Sequence, residues 1–201
     1  MGAPSTGAGA AIIWPRESYR LPAEELAPRL LGATLVHRTG DVDRRVRIVE
    51  TEAYVGCHDL ACHAARGRTK RTEIMFGPAG FSYVYLIYGM YPMLNIVCAE
   101  EGDAQAVLIR AAEALAPREW RADLSGPGKL CREMNITLRD NALDLTAGDK
   151  LWVEPGAGPP ALVARSRRIG VDYAGEWRDA LLRFYDADSA AVSKPRWKTK
   201  S

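Results

Sequence analysis

The sequence predicts a single α+β domain built mainly on antiparallel β-sheet. Three observations carry that expectation. Short runs of strand-like alternation recur with turn residues between them, helical signals are few and short, and no repeat or linker divides the 201 residues. With 47% hydrophobic residues, the chain can bury roughly 70% of its unfolded surface. It therefore needs neither disulfides nor metal to hold together.

Residues 1–17 read as a flexible N-terminal segment, and 189–201, with Lys194, Arg196, Lys198 and Lys200, as a flexible basic tail. One domain remains between them, over 18–188. Its first helix opens at Leu21-Pro22-Ala23-Glu24-Glu25, with proline near the first turn, acids at the positive end and Gly32 to stop it. Residues 34–38 and 45–53 alternate around Gly40-Asp41 as a hairpin. Further strands are expected at 81–87 and 91–98, broken at Gly89, and at 105–111. Ser125-Gly126-Pro127-Gly128 leads into a short helix near 129–134. Late strands are expected around 150–153, 162–164 and 182–185.

Lys+Arg 27 against Asp+Glu 25 gives a net charge of +2. That excludes a polybasic nucleic-acid binder and leaves room for a local cationic patch. Cys57, Cys62, Cys98 and Cys131, without a secretory signal, read as reduced thiols of an intracellular protein in the cytoplasm or nucleoid. The run from Ile74 to Ala99 carries no charge and is long enough to span a bilayer. Yet Gly77, Pro78, Gly80, Gly89, Pro92 and Asn95 interrupt it, so a buried sheet is expected and no membrane partner.

The chemistry starts at Arg47-Ile48-Val49-Glu50-Thr51-Glu52-Ala53-Tyr54. Period two puts Ile48, Glu50, Glu52 and Tyr54 on one face and Val49, Thr51 and Ala53 on the other. Carboxylates about 7 Å apart repel unless one is neutral or pairs with a cation. Two readings stay open: an exposed edge face partnered by Arg45 and Arg47, or a carboxylate that activates water at an oxocarbenium-like carbon. Cys57-His58 and Cys62-His63 raise a zinc site, but adjacent residues usually point apart and the spacing fits no common finger. His63 then reads as a neutral hydrogen-bonding or acid–base group. Tyr83, Tyr85, Tyr88 and Tyr91 crowd one stretch; such a cluster suits a pocket that stacks flat rings, although Tyr83 reads as core. Arg66, Arg68, Lys70 and Arg71 follow His63, and the glycine-rich turn before Lys129 opens a helix, both compatible with phosphate contacts.

These strings, with Ala106-Val107-Leu108-Ile109-Arg110-Ala111, Arg168-Ile169-Gly170-Val171, Gly175-Glu176-Trp177 and Leu182-Arg183-Phe184-Tyr185, closely resemble the alkyladenine (3-methyladenine) DNA glycosylase family over about 20–186. The resemblance implies a single α+β domain with a curved, largely antiparallel sheet. It implies a base-excision enzyme acting on double-stranded DNA that carries alkylated or deaminated purines. The base, 3-methyladenine or 7-methylguanine above all, is flipped out of the duplex and its N-glycosidic bond hydrolysed, without a cofactor. Glu52 matches the general base. Tyr54, His63, Tyr85 and Asn95 match the base-binding pocket. Tyr88 matches the wedge that fills the gap in the stack, and Met90, Tyr91, Arg110 and Lys129 match further DNA contacts. Cationic lesions leave without prior protonation; neutral hypoxanthine and ethenoadenine need a proton as well, and for them the sequence leaves the outcome open. No lysine lies in 52–54 or 83–95, so hydrolysis to an intact abasic site is expected rather than lyase chemistry. A monomer is expected. A non-catalytic damaged-DNA-binding protein of the same fold is the alternative. The segment 117–125 is shorter than in mammalian relatives, and Cys57-His58 and Pro92-Met93 depart from the family pattern.

Overall fold

The computed structural model describes residues 12–195. Its eight strands are β1 (Thr34–Thr39), β2 (Val42–Tyr54), β3 (Ser82–Ile87), β4 (Tyr91–Cys98), β5 (Gln105–Ala116), β6 (Leu151–Glu154), β7 (Val163–Ser166) and β8 (Arg183–Asp186). All of their pairings are antiparallel, in the order β3-β4-β5-β2-β1-β6, with β8 pairing β2 and β7. Two helices, α1 (Ala23–Arg29) and α2 (Pro127–Met134), lie on the periphery. The expected α+β class and curled antiparallel sheet are what the chain forms. Gly40 makes the β1–β2 turn at φ +60°, a conformation that costs glycine nothing. The uncharged run from Ile74 becomes the β3–β4 hairpin, and no helix among the described residues is long and apolar enough to cross a membrane.

Strand β2 is the axis of the sheet. Its first half pairs with β1, whereas Glu50, Thr51 and Glu52 pair with β5 on one side and β8 on the other. An exposed acidic edge is thereby excluded, because this stretch has a neighbour on both sides. The β2–β5 register also slips at three places, two of them around Glu50: Ile48 pairs with Ala112, Glu50 with Ala111 and Thr51 with Ile109. Val49 and Arg110 are left without partners in that ladder. The slip corrects the simple alternation expected for this strand. Val46 and Ile48 join the main core with Leu26 of α1 and Leu30 just after it, and so does Ala53, while Val49 packs in a separate cluster with Ala111, Tyr185 and Val192. The Thr51 hydroxyl donates to the Ala27 carbonyl of α1 at 2.8 Å. Ile48 is thus on the opposite face from Glu50 and Glu52. Without the bulge, both carboxylates would enter the apolar core beside it.

Two expected boundaries also move. Residues 12–17 were assigned to a flexible segment, yet the Trp14 amide donates to the Val153 carbonyl at 2.9 Å and Arg16 pairs with Asp144 at 2.5 Å. At the other end, 189–195 is packed rather than solvated. Val192 and Ser193 are buried, the Ser193 amide donates to Glu50 Oε2 at 2.7 Å, and its hydroxyl donates to Glu50 Oε1 at 2.8 Å. A buried carboxylate on a central strand recruits donors from wherever the chain can supply them, and here the chain end does so. The remainder of both segments, 1–11 and 196–201, lies outside the described residues.

Truncation after Asp188 is therefore expected to destabilise the fold by about 3 kcal/mol or more, because two hydrogen bonds to a buried carboxylate are lost. Urea unfolding of the truncated and full chains measures it; equal midpoints would mean that 189–195 contributes nothing.

Candidate active site

The sheet face opposite α1 opens into a cleft of about 650 Å³. Tyr54 from the end of β2, Tyr85 from β3, Asn95 from β4 and Arg110 from β5 line it, and two loops bring in His63 and Ile169. The five residues predicted for catalysis and base binding thus converge on one place, with Arg110 beside them.

Glu52 lies beneath the floor, fully buried. Three groups that line the cleft hold its carboxyl: the Ile169 amide donates to Oε1 at 2.8 Å, the Tyr54 hydroxyl donates to Oε2 at 3.0 Å, and Arg110 Nη1 lies 3.4 Å from Oε2. Burial alone would lower the Arg110 pKa, but the Glu52 and Glu50 carboxylates outweigh it and the net shift is upward. Burial, and then the charge of Glu52, push the Tyr54 phenol well above its usual range, so it remains a donor. Glu50 anchors the same group from behind. It accepts from Arg110 Nε at 3.1 Å and from Arg183 Nε at 2.6 Å, besides Ser193. The partners expected for the acidic strand were Arg45 and Arg47, but Arg45 pairs with Glu154, and Arg47 with Glu113 and Asp186. Bulge geometry decides this, because Arg110 is carried onto the acidic face.

The wall is aromatic. The rings of His63 and Tyr85 meet edge to face, with centroids 4.4 Å apart, and His63 Nδ1 is hydrogen bonded to the Tyr83 hydroxyl at 2.8 Å. Burial, followed by Arg71 and Arg66, lowers the His63 pKa to about 4, so the ring is neutral near pH 7. Burial likewise raises Tyr85 far above the usual phenol range. Tyr83, expected as core, is buried and also supports His63. Asn95 is buried and fixed by donation from Nδ2 to the Tyr83 carbonyl at 3.2 Å. Arg71 lies over the Tyr85 ring at 5.0 Å, a cation–π contact the sequence did not single out.

The rim is different in kind. Tyr88, Met90 and Tyr91, at the β3–β4 turn, are 83%, 65% and 51% exposed. Tyr88 has φ +52° and Gly89 φ +70°, which turn the chain back within three residues. Lys129 stands on the first turn of α2, where Pro127 reaches the cleft, and its Nζ donates to Asp123 at 2.7 Å.

The cysteine–histidine pairs do not assemble. His58 packs edge-on against Trp177, His63 turns to Tyr83, the Cys62 thiol faces the Ala104 carbonyl, and Cys57 is exposed. Among the described residues no group of three or more histidine, cysteine or acidic side chains is placed to hold a metal. The Ile169 amide, Arg183 and Ser193 were missed as site components. Their strings were visible, but nothing local in them signals a carboxylate distant in sequence.

Comparison with known proteins finds a family and relatives along most of the chain. A family profile described as "Methylpurine-DNA glycosylase (MPG)" matches residues 17–190. A protein of Legionella pneumophila (strain Lens), named "Putative 3-methyladenine DNA glycosylase", is 48% identical over 180 residues, covering 90% of this chain and 97% of its own length. Proteins of the same name from Methanocella arvoryzae and Myxococcus xanthus are 48% and 49% identical, covering 90% of this chain and 96% and 93% of theirs.

Between pH 6.5 and about 4 the unfolded chain protonates at His63 while the folded one does not. Wild type therefore loses a part of its stability on acidification that His63→Gln does not lose. Urea midpoints at pH 7 and pH 5 should fall less for the variant; parallel falls would show that His63 titrates alike in both states.

Proposed function

The chain belongs to the methylpurine-DNA glycosylase family and is a DNA glycosylase, and we propose that it flips alkylated purines out of duplex DNA and hydrolyses their N-glycosidic bond with water activated by Glu52. The observation that carries this reading is a buried carboxylate, held by three donors, directly beneath an aromatic cleft with room for a flipped purine. In this reaction Tyr88 enters the stack from the exposed turn, with Met90 and Tyr91 beside it and Lys129 contacting backbone phosphate. The flipped base rests between Tyr54, His63 and Tyr85. Asn95, fixed by its bond to the Tyr83 carbonyl, stands where the exocyclic amine of normal guanine would arrive. Water attacks the sugar C1′, its proton passes to Glu52, and the electrons of the broken bond leave with the purine. A 3-methyladenine or 7-methylguanine cation departs as a neutral base, so the cleft need not protonate it. Arg110 balances the carboxylate and contacts the DNA side of the site. Among the described residues that line the cleft there is no lysine, which supports hydrolysis over lyase chemistry. Work on DNA places it inside the cell.

Glu52→Gln keeps the shape and removes the base. Base release from methylated duplex, read by alkaline strand cleavage, should fall at least about 10²-fold while affinity for lesion DNA stays within about threefold. Equal loss of binding and release would remove Glu52 from this role. Release at the wild-type rate would overturn the mechanism.

The cleft also ranks its substrates. His63 is neutral at pH 7 and burial holds Tyr54 and Tyr85 as phenols, so these side chains offer no ready proton to a leaving base. General acid catalysis is worth about 10² or more in rate. Release of 7-methylguanine should exceed that of hypoxanthine by about that factor in single-turnover assays with matched duplexes; comparable rates would demand an acid in the cleft.

A further inference from the structure

Of the string Arg168-Ile169-Gly170-Val171, only the Ile169 amide has a role in the reaction as proposed, yet Arg168 is a fully enclosed charge beside the cleft. Its side chain has no exposed surface and makes a two-pronged pair with Asp59, at 2.5 and 2.8 Å. Nη1 also donates to the Ala53 carbonyl at 2.9 Å. Asp59, fully buried, accepts in addition from the Val55 and Ala61 amides. The one Arg168 donor without a hydrogen-bond partner is Nε, and the guanidinium carbon stands 4.8 Å from the centre of the Tyr54 ring. Nη2 also donates to the Trp177 carbonyl at 3.4 Å, and the π face of Tyr54 stands against the same cation.

Two chain segments meet at that point. One runs from Ala53 to Ala61 and contains Tyr54; the other contains Ile169, the next residue after Arg168. Tyr54 and Ile169 are the two uncharged donors on Glu52, one to each oxygen. A single guanidinium therefore fixes both, through the ring of one and the backbone of the other. Burying a charge so completely costs several kcal/mol in desolvation, and an apolar contact would join the two segments more cheaply. A planar fork that also stacks on an aromatic ring is what arginine offers and lysine does not.

We infer that Arg168 is a positioning residue of the hydrolytic step, aligning Tyr54 and the Ile169 amide on the Glu52 carboxylate while touching neither substrate nor water. The inference rests on Glu52 being the base. Arg168→Lys keeps the charge and loses the fork; Asp59→Asn keeps the shape and loosens the clamp. Both are compared with wild type, Glu52→Gln, Tyr54→Phe and the double variant Arg168→Lys/Tyr54→Phe. The readouts are the single-turnover rate of base release from methylated duplex at saturating active-site-titrated enzyme, and Kd for the same duplex. Misplacement of a catalytic group by about 1 Å is worth about 10² in rate. Arg168→Lys should lose about that factor with Kd within about threefold, and Asp59→Asn a smaller part. In the Tyr54→Phe background, which keeps the ring and lacks the hydroxyl, the cost of Arg168→Lys should shrink. A rate per titrated site that stays at wild type, or rate and binding that fall together, would overturn the inference, as would full additivity with Tyr54→Phe. Wild-type release by Glu52→Gln would instead overturn the assignment of the base.

Discussion

Everything around the cleft follows from burying two carboxylates and two guanidiniums on adjacent positions of one sheet. Glu50 and Glu52 have no exposed surface, Arg183 has none, and Arg110 is nearly as enclosed. Taken singly, each would cost several kcal/mol to remove from water. Together their charges cancel, and the hydrogen bonds close the balance: Arg110 spans both carboxyls, Arg183 holds Glu50, and backbone amides of Ile169 and Ser193 fill the remaining directions. Replacing such a network by apolar side chains is often neutral or stabilising, so a stability argument does not explain why it is there. The hydrolysis proposed for this site, which uses a carboxylate there, would explain it.

The double slip around Glu50 between β2 and β5 is the backbone expression of that constraint. The sheet needs one face of β2 against α1, and it uses Val46, Ile48, Thr51 and Ala53 for it. That set is not one unbroken alternation. The extra residue at Val49 lets the strand serve the core before and after the bulge while its carboxylates turn to the other side. The opposing slip at Arg110 delivers the cation to the same side. Charge neutrality and core packing are thus met by the same irregularity, which explains why it lies at the centre of the sheet rather than at an edge.

Much of this was legible before the fold was known, and the rest was hidden for identifiable reasons. The Gly40-Asp41 and Gly89 turns and the strands beside them lie within a few residues of where glycine and alternation placed them, because both signals are local. Helix α2 starts at Pro127, ahead of the expected 129, since the proline itself is the first helical residue. Strand β5 runs on to Ala116, beyond the expected 111, because its far end is drawn out by pairing with the first half of β2. The aromatic wall could be read from tyrosine density alone, and Tyr54, His63, Tyr85, Asn95 and Arg110, matched by family resemblance, do line one cleft, whereas Met90 and Lys129 lie outside its lining. Ile48 was placed on the wrong face because a bulge leaves no mark on the alternation it interrupts. The chain end was read as a solvated tail because composition gives its charge and not the buried acid that claims its amides. The cysteine–histidine repeat is a spacing without a shared direction: three of the side chains meet three different neighbours, and Cys57 is exposed.

The site therefore combines two materials with opposite properties. Its floor is an over-determined polar network in which Glu52 and its donors are fixed before any substrate arrives, so little reorganisation accompanies the proposed reaction. Its rim is a three-residue turn that holds Tyr88 and Met90 in water at a hydrophobic cost and with a left-handed tyrosine backbone. In the proposed reaction a rigid floor alone would hydrolyse whatever reached it, and a rim alone would hold DNA without releasing a base. Selection would then fall to the wall between them, where a neutral His63 and un-ionised tyrosines would accept a flat cationic ring without competing charge and offer little help to a neutral one. Discrimination in this arrangement comes from withholding a proton as much as from shape. That is economical when the damage itself has already supplied the positive charge.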